Sequence, residues 1–212
     1  MSGPLRGGTV GLPTGSALAN MKESHMRTAI AAVAALLVTV PTLAQEAGTT
    51  TALEIDPKAY TGLWYEIAST PTPYEQDCDG GVTATYTLID DATMEVVNRC
   101  DREAGGDEQG VVGEAEVVNG NFNTFSVEFG EDTGAPGVNY VVAAVGEAEG
   151  GQYPWAAVYS PDGNVGWILA REIELSEEER GAAEEALGEV GVDLSQLSNT
   201  AQPPQTYDPA AS

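Results

Sequence analysis

Between residues 56 and 172, hydrophobic and polar side chains alternate in short segments with the two-residue period of half-buried strands. The segments 64–70, 82–89, 93–99, 111–118, 123–129, 138–146, 153–160 and 165–172 read as eight strands. Turn-rich pieces separate them, among them Asp90-Asp91, Asn119-Gly120-Asn121, Gly150-Gly151 and Pro161-Asp162-Gly163. Short connections between consecutive strands predict an all-β fold, an eight-stranded antiparallel up-and-down barrel; a sandwich is the competing architecture. One helix follows. Ser176 and Glu179 form a capping box, Glu177, Glu178 and Glu179 suit the positive end of the helix dipole, and Gly191 stops it. Ala183, Ala186, Leu187 and Val190 make its apolar stripe, which predicts a C-terminal helix packed outside the barrel. From Ser198 onward, Pro203, Pro204 and Pro209 predict an extended and partly loose tail, 198–212.

The amino-terminal part has a different pattern. Ala29–Val40 is a run of 12 largely apolar residues, preceded by Lys22 and Arg27 and followed by Pro41-Thr42-Leu43-Ala44. A bilayer needs about 20 apolar residues, so the run reads as a signal peptide, 26–44, rather than a membrane span. Residues 1–25 show no periodicity and read as an upstream extension or start-site error, with Met21 or Met26 the better start. Cleavage after Ala44 leaves a lead-in at 45–55 and a barrel-plus-helix region at 56–197. No Cys stands directly after the expected cut, so a soluble periplasmic or secreted protein without a lipid anchor is expected.

Charge narrows the function classes. The whole chain carries 33 acidic and 8 basic residues, and past Ala44 five basic residues face 32 acidic ones, a net of -27. Nucleic acids and anionic membrane surfaces need a basic patch, so neither is an expected partner. The single histidine, His25, precedes the cut. Without imidazole, and without a Gly-x-Ser-x-Gly nucleophile motif, no catalytic set, metal or cofactor is expected. Cys78 and Cys100 bracket the hairpin of the second and third strands and, in an exported chain, predict a disulfide; a reactive thiol would lack a histidine to activate it.

Gly62-Leu63-Trp64-Tyr65-Glu66-Ile67-Ala68, preceded by Asp56-Pro57-Lys58-Ala59-Tyr60, resembles the Gly-x-Trp signature of the lipocalins. Tyr74-Glu75, Val82–Tyr86, Val96-Val97-Asn98 and Trp167–Arg171 follow in that family's order. The resemblance spans about 56–205 and is nearest to the bacterial outer-membrane lipocalin and apolipoprotein D branch. Two features depart from it. The Thr-Asp-Tyr signature is not evident, and the lipidated Cys common in bacterial members is missing. The resemblance implies structural roles for Gly62, Trp64 and Arg171, with Trp64 plugging the closed end of the barrel and Arg171 lying over it.

Alternation assigns inner faces. Val82, Ala84, Tyr86 and Leu88 share one face of the second strand, leaving Thr83, Thr85 and Thr87 to water. Met94, Val96 and Asn98 share a face of the third, Phe125, Val127 and Phe129 of the fifth, and Trp167, Leu169 and Arg171 of the eighth. The sixth and seventh strands are apolar on both faces, and Tyr140 and Trp155 are placed inside by analogy with the family. The expected ligand-binding set is therefore Ala84, Tyr86, Met94, Val96, Asn98, Phe125, Phe129, Tyr140, Trp155, Trp167 and Leu169, with space left by Ala84, Ala144 and Ala157. The same side chains can also simply fill a small barrel. Glu66 shares parity with Trp64; Arg171, a Tyr hydroxyl or an outward bend are its alternatives. The expected function is carriage of a small hydrophobic or amphiphilic ligand, of the fatty-acid or lysophospholipid class. A barrel acting on a protein partner through its rim and loop 130–137, as an inhibitor or assembly factor, is the alternative, and a lipid-modifying enzyme a weaker one. Oligomeric state is left open.

Overall fold

Valine, threonine and aromatic residues at every second position suit a pleated surface with one buried face, and these segments form strands in a computed structural model. It describes residues 53–102, 109–130, 137–161, 165–205 and 207–209. The expected leader 26–44, the segment 1–25 before it, most of the lead-in and most of loop 130–137 lie outside the described residues. A one-turn helix α1 (Pro57–Tyr60) precedes β1 (Gly62–Ser69), and a 3₁₀ turn at Pro73–Glu75 leads to β2 (Gly80–Leu88). Then come β3 (Thr93–Asp101), β4 (Gln109–Val117), β5 (Thr124–Glu128), β6 (Tyr140–Val145), β7 (Trp155–Ser160) and β8 (Val165–Ala170). Helix α2 (Glu177–Glu189) and a short β9 (Ser198–Asn199) complete the order. Each strand pairs antiparallel with the next from β2 to β8, and β1 joins β8 to β2, closing the expected eight-stranded barrel.

Strand β1 holds the closure in two halves. Gly62–Tyr65 pairs with Tyr86–Thr83 of β2, while Tyr65–Ser69 pairs with Ala170–Trp167 of β8. A bulge at Ile67 turns Ile67 and Ala68 outward and returns Ser69 to the side of Glu66. Beyond Tyr65 the β2 edge of β1 is taken by the carboxy-terminal segment. Ala68 and Ser69 pair with Asn199 and Ser198, and the Gln202 amide donates to the carbonyls of both Glu66 (2.8 Å) and Val82 (2.9 Å).

The tail is thus part of the wall, and this corrects the expectation of a partly loose segment. Gly81 N–H donates to Ala201 O at 2.8 Å, and the Tyr207 hydroxyl bonds Gly81 O and Thr83 Oγ1. Thr83 and Thr85 were expected to face water. Instead Thr83 is buried beneath Tyr207, and Thr85 donates to Pro209 O at 3.3 Å. Strand alternation correctly points both side chains outward, but a segment more than a hundred residues away in sequence covers them.

Helix α2 begins with the expected capping box and packs on β6, β7 and β8. Ala183 and Leu187 are buried against Ile67, Ala68, Ala157 and Ile168. Val190 departs from the predicted stripe: it ends the helix, 39% exposed, and Gly191 (φ +91°) turns the chain so that Val192 packs instead. The disulfide joins Cys78 to Cys100 across 5.7 Å between Cα atoms. Closing this 22-residue separation is worth about 3 kcal/mol by loop entropy.

The closed end is built around Arg171. Its guanidinium carbon lies 3.6 Å from the centroid of the Trp64 ring. The same group donates to the carbonyls of Ala59, Tyr60, Thr61, Leu63 and Tyr153. A one-turn helix leaves its last carbonyls without helical partners, and Arg171 supplies them. Gly62, at φ +100°, makes the turn from α1 into β1 beneath the guanidinium. The expected placement of Trp64 and Arg171 is realised. Arg171→Met would strand several carbonyls at once and should cost about 3–5 kcal/mol, with Arg171→Lys recovering less than half. Urea unfolding followed by circular dichroism checks this; a loss under about 1 kcal/mol would refute the role.

Candidate functional site

Inside the barrel the two ends differ. Near α1 the interior is filled. Trp64 donates its indole N–H to Tyr60 O at 2.8 Å, and its ring lies 5.3 Å from that of Tyr60. Phe122 meets Phe125 edge-on at 5.2 Å, and Phe125 meets Tyr140 at 5.9 Å. The hydroxyls of Tyr60 and Tyr140 share a hydrogen bond at 2.6 Å, and Tyr86 donates to Tyr140 at 3.1 Å. Burial raises all three phenols, Tyr86 to about 12, so they stay neutral.

Above this plug lies a cavity of about 820 Å³. Eight of the predicted residues line it: Ala84, Tyr86, Val96, Asn98, Phe129, Tyr140, Trp167 and Leu169. Val82, Val127 and Val158 continue the apolar wall, and Pro71, Pro73 and Tyr74 stand at the mouth beside the disulfide. The volume is in the range of pockets that hold small ligands.

Three predicted residues do not line the cavity. Met94 and Phe125 face inward, as alternation requires, but sit fully buried in the filled end. A strand's inner face says nothing about depth, and the residues nearest the closed end become packing. Trp155 is on the other side of the wall. It belongs to the layer under α2 with Ile67, Ala157 and Ala170, while Ala156 and Val158 take the inner face of β7. Both faces of β7 are apolar because a helix covers one of them, so the family analogy chose the wrong parity. Ala144 and Ala157, expected to leave cavity space, are also in the helix-facing layer.

Glu66 is the polar centre of the cavity wall. It is 3% exposed and accepts a hydrogen bond from Thr200 Oγ1 of the tail, so neither Arg171 nor a tyrosine satisfies it. Glu75, brought over by the 3₁₀ turn, accepts from Trp167 Nε1 at 3.2 Å and from Ser69 Oγ at 3.4 Å. Burial, and next the Glu75 carboxyl beside it, push Glu66 up to about 8. Burial likewise raises Glu75, with the Trp167 indole N–H as the main opposing contact. The shift favours the protonated acid at Glu66 over the carboxylate. Glu75, Thr200 and Gln202 were not assigned to the site from sequence. The parity of Glu66 was the available signal; its partners come from a non-repetitive turn and from the distant tail. Among the described residues no His, Cys, Asp or Glu cluster suits a metal ion, and no helix is long and apolar enough to cross a membrane.

A family model described as a lipocalin-like domain matches residues 55–202. Outer membrane lipoprotein Blc of Escherichia coli is 30% identical over 184 residues, which cover 82% of this chain and 95% of that protein. The protein of the same name from Citrobacter freundii is 34% identical over 137 residues, covering 62% of this chain and 70% of its own. Among solved structures, lobster apocrustacyanin A1 superposes with a TM-score of 0.55 at 20% identity, over 70% of this chain and 80% of that one, and shows the same fold.

Glu66 links the cavity to stability. Its pKa is raised on folding, so the native state binds more protons than the unfolded chain between the ordinary carboxylate range and about pH 8. Stability therefore falls as pH rises through that window. Glu66→Gln should weaken the dependence, leaving the part that Glu75 contributes, and stabilise the protein at pH 8 more than at pH 4.5. Thermal melts of both forms at the two pH values check it, and parallel pH dependence in both would refute the assignment.

Proposed function

The chain belongs to the lipocalin family, and from that premise we propose that it carries a small hydrophobic or amphiphilic molecule outside the cytoplasm. Members of this family typically bind small hydrophobic ligands and are generally carriers rather than enzymes. The observation that carries the reading is the division of the barrel. One end is sealed by Arg171 and an aromatic plug, and the other holds an apolar cavity of about 820 Å³ open toward the disulfide. A packed barrel needs no such space. Burying an alkyl chain against Val96, Phe129, Val158 and Leu169 yields about 25 cal/mol per Å² before association costs. Fatty acids and lysophospholipids are the proposed ligand class, with Ala84, Tyr86, Val96, Asn98, Phe129, Tyr140, Trp167 and Leu169 as contacts.

Extracytoplasmic location rests on the short apolar run and its flanks, and agrees with the outer membrane lipoproteins among the chain's relatives. A soluble, unanchored form is proposed because the residue directly after Ala44 is Gln45 and not a lipid-acceptor Cys.

Two outcomes are expected. Titrating delipidated protein with long-chain lysolipids or fatty acids should change the fluorescence of Trp167, the one tryptophan that lines the cavity among the described residues; Trp167→Phe should remove most of the change. A flat titration in the presence of a chain long enough to fill the cavity would refute carriage. Mass spectrometry of the exported protein should find an unmodified amino terminus at or near Gln45, whereas an added acyl mass or a retained segment 1–44 would refute the proposed form.

A further inference from the structure

The polar part of the cavity wall centres on two acids. Glu66 and Glu75 bring two carboxyls together on its wall. Asn98 Oδ1, on the same lining, is buried and takes no hydrogen bond in the described structure. Three of the donors near it are already engaged: Trp167 gives its N–H to Glu75, Thr200 its hydroxyl to Glu66, and Tyr86 its hydroxyl to Tyr140. Arg99 is the basic residue among those that line the cavity, but it pairs with Thr83 across β2 and β3, on the face opposite Asn98 and Ala84. Arg171 is spent below the plug. A ligand carboxylate drawn into this tube would add a third acid to a buried pair already pushed toward its protonated forms, in a region of low dielectric that penalises each further negative charge.

Resting on the carrier reading above, we propose that the cavity selects amphiphiles with a positively charged amino head group, held by the Glu66 and Glu75 carboxyls, over amphiphiles with a carboxylate head. An ammonium supplies donors to both acids and neutralises the charge they cannot share alone. The chain of the same ligand lies along the apolar wall of Val96, Val158 and Leu169. Within the proposed ligand class this ranks plain fatty acids low and amine-bearing amphiphiles high. The charged group set against Glu66 is Glu75 from the 3₁₀ turn; Ser69 of β1 and Thr200 of the tail face it as neutral hydroxyls, and Trp167 of β8 faces Glu75. Burial beside Glu75 favours the protonated form of Glu66, and docking an ammonium favours the carboxylate, so amine binding should release protons.

The test uses dodecylamine, dodecanol and dodecanoate, which share a chain and differ in head group, titrated into the delipidated protein at pH 7. High salt screens attraction to the acidic outer surface. The amine should bind at least about tenfold tighter than the carboxylate, with the alcohol between them. The double variant Glu66→Gln with Glu75→Gln keeps the size and shape of both side chains and removes their acidity, and the ranking should collapse to within about twofold. Calorimetry in buffers of different ionisation enthalpy should show proton release on amine binding, and none in Glu66→Gln. Carboxylate binding as tight as amine binding, or an amine preference that survives in the double variant, would overturn the head-group proposal while leaving carriage intact. Failure of all three ligands to bind would overturn the carrier reading and this proposal with it.

Discussion

Arg171 carries the geometry of the closed end. One guanidinium stacks on Trp64 and collects carbonyls from α1, from the turn into β1 and from the start of β7's approach at Tyr153. Those contacts tie the end of β8 to the beginning of β1, which is the seam where an eight-stranded sheet must meet itself. Closure removes exposed sheet edges. It also fixes Trp64 as a floor support, so the aromatic residues from α1, β2, β5 and β6 can pack above it without leaving a passage to solvent. The cavity exists because this end is filled and the other is not.

At the open end the wall is completed by other means. Beyond Tyr65, β1 and β2 diverge, and the carboxy-terminal segment enters between them through β9 and the Gln202 amide. The disulfide pins the start of β2's approach to the end of β3 beside the same opening. The bulge at Ile67 serves both sides of the wall: it sends Ile67 and Ala68 to the helix layer and keeps Glu66 and Ser69 inside. A buried acid is thereby placed where ligand, tail and mouth meet. Its proton and its hydrogen bond to Thr200 make the acid tolerable in an apolar wall.

Much of this architecture was legible along the chain. Alternation located all eight barrel strands to within a few residues, and the capping box located the helix. The inner faces of β2, β3 and β5 followed from parity because a largely polar face stood opposite the apolar one; on β8, where Ile168 and Ala170 make the outer face apolar too, Trp167 and Leu169 were grouped with Arg171. The same logic had no purchase on β6 and β7. There α2 makes both faces apolar, and Trp155 could not be told from an inward residue by its own neighbours. Parity was also blind to depth, which separated Met94 and Phe125 from Val96 and Phe129, and to the tail, which buried Thr83.

Neighbours along the chain encode strand period, hairpin order, helix cap, the pairing of two cysteines across one hairpin, and the Gly62–Trp64 turn. Each depends on side chains a few residues apart or on a single strand pair. The tertiary structure alone decided what depends on distant segments converging. It chose which end is filled, brought Thr200 and Glu75 to Glu66, and set the five-carbonyl cage of Arg171. Burial and electrostatics at the site are sums over residues far apart in sequence, so no local pattern encodes them.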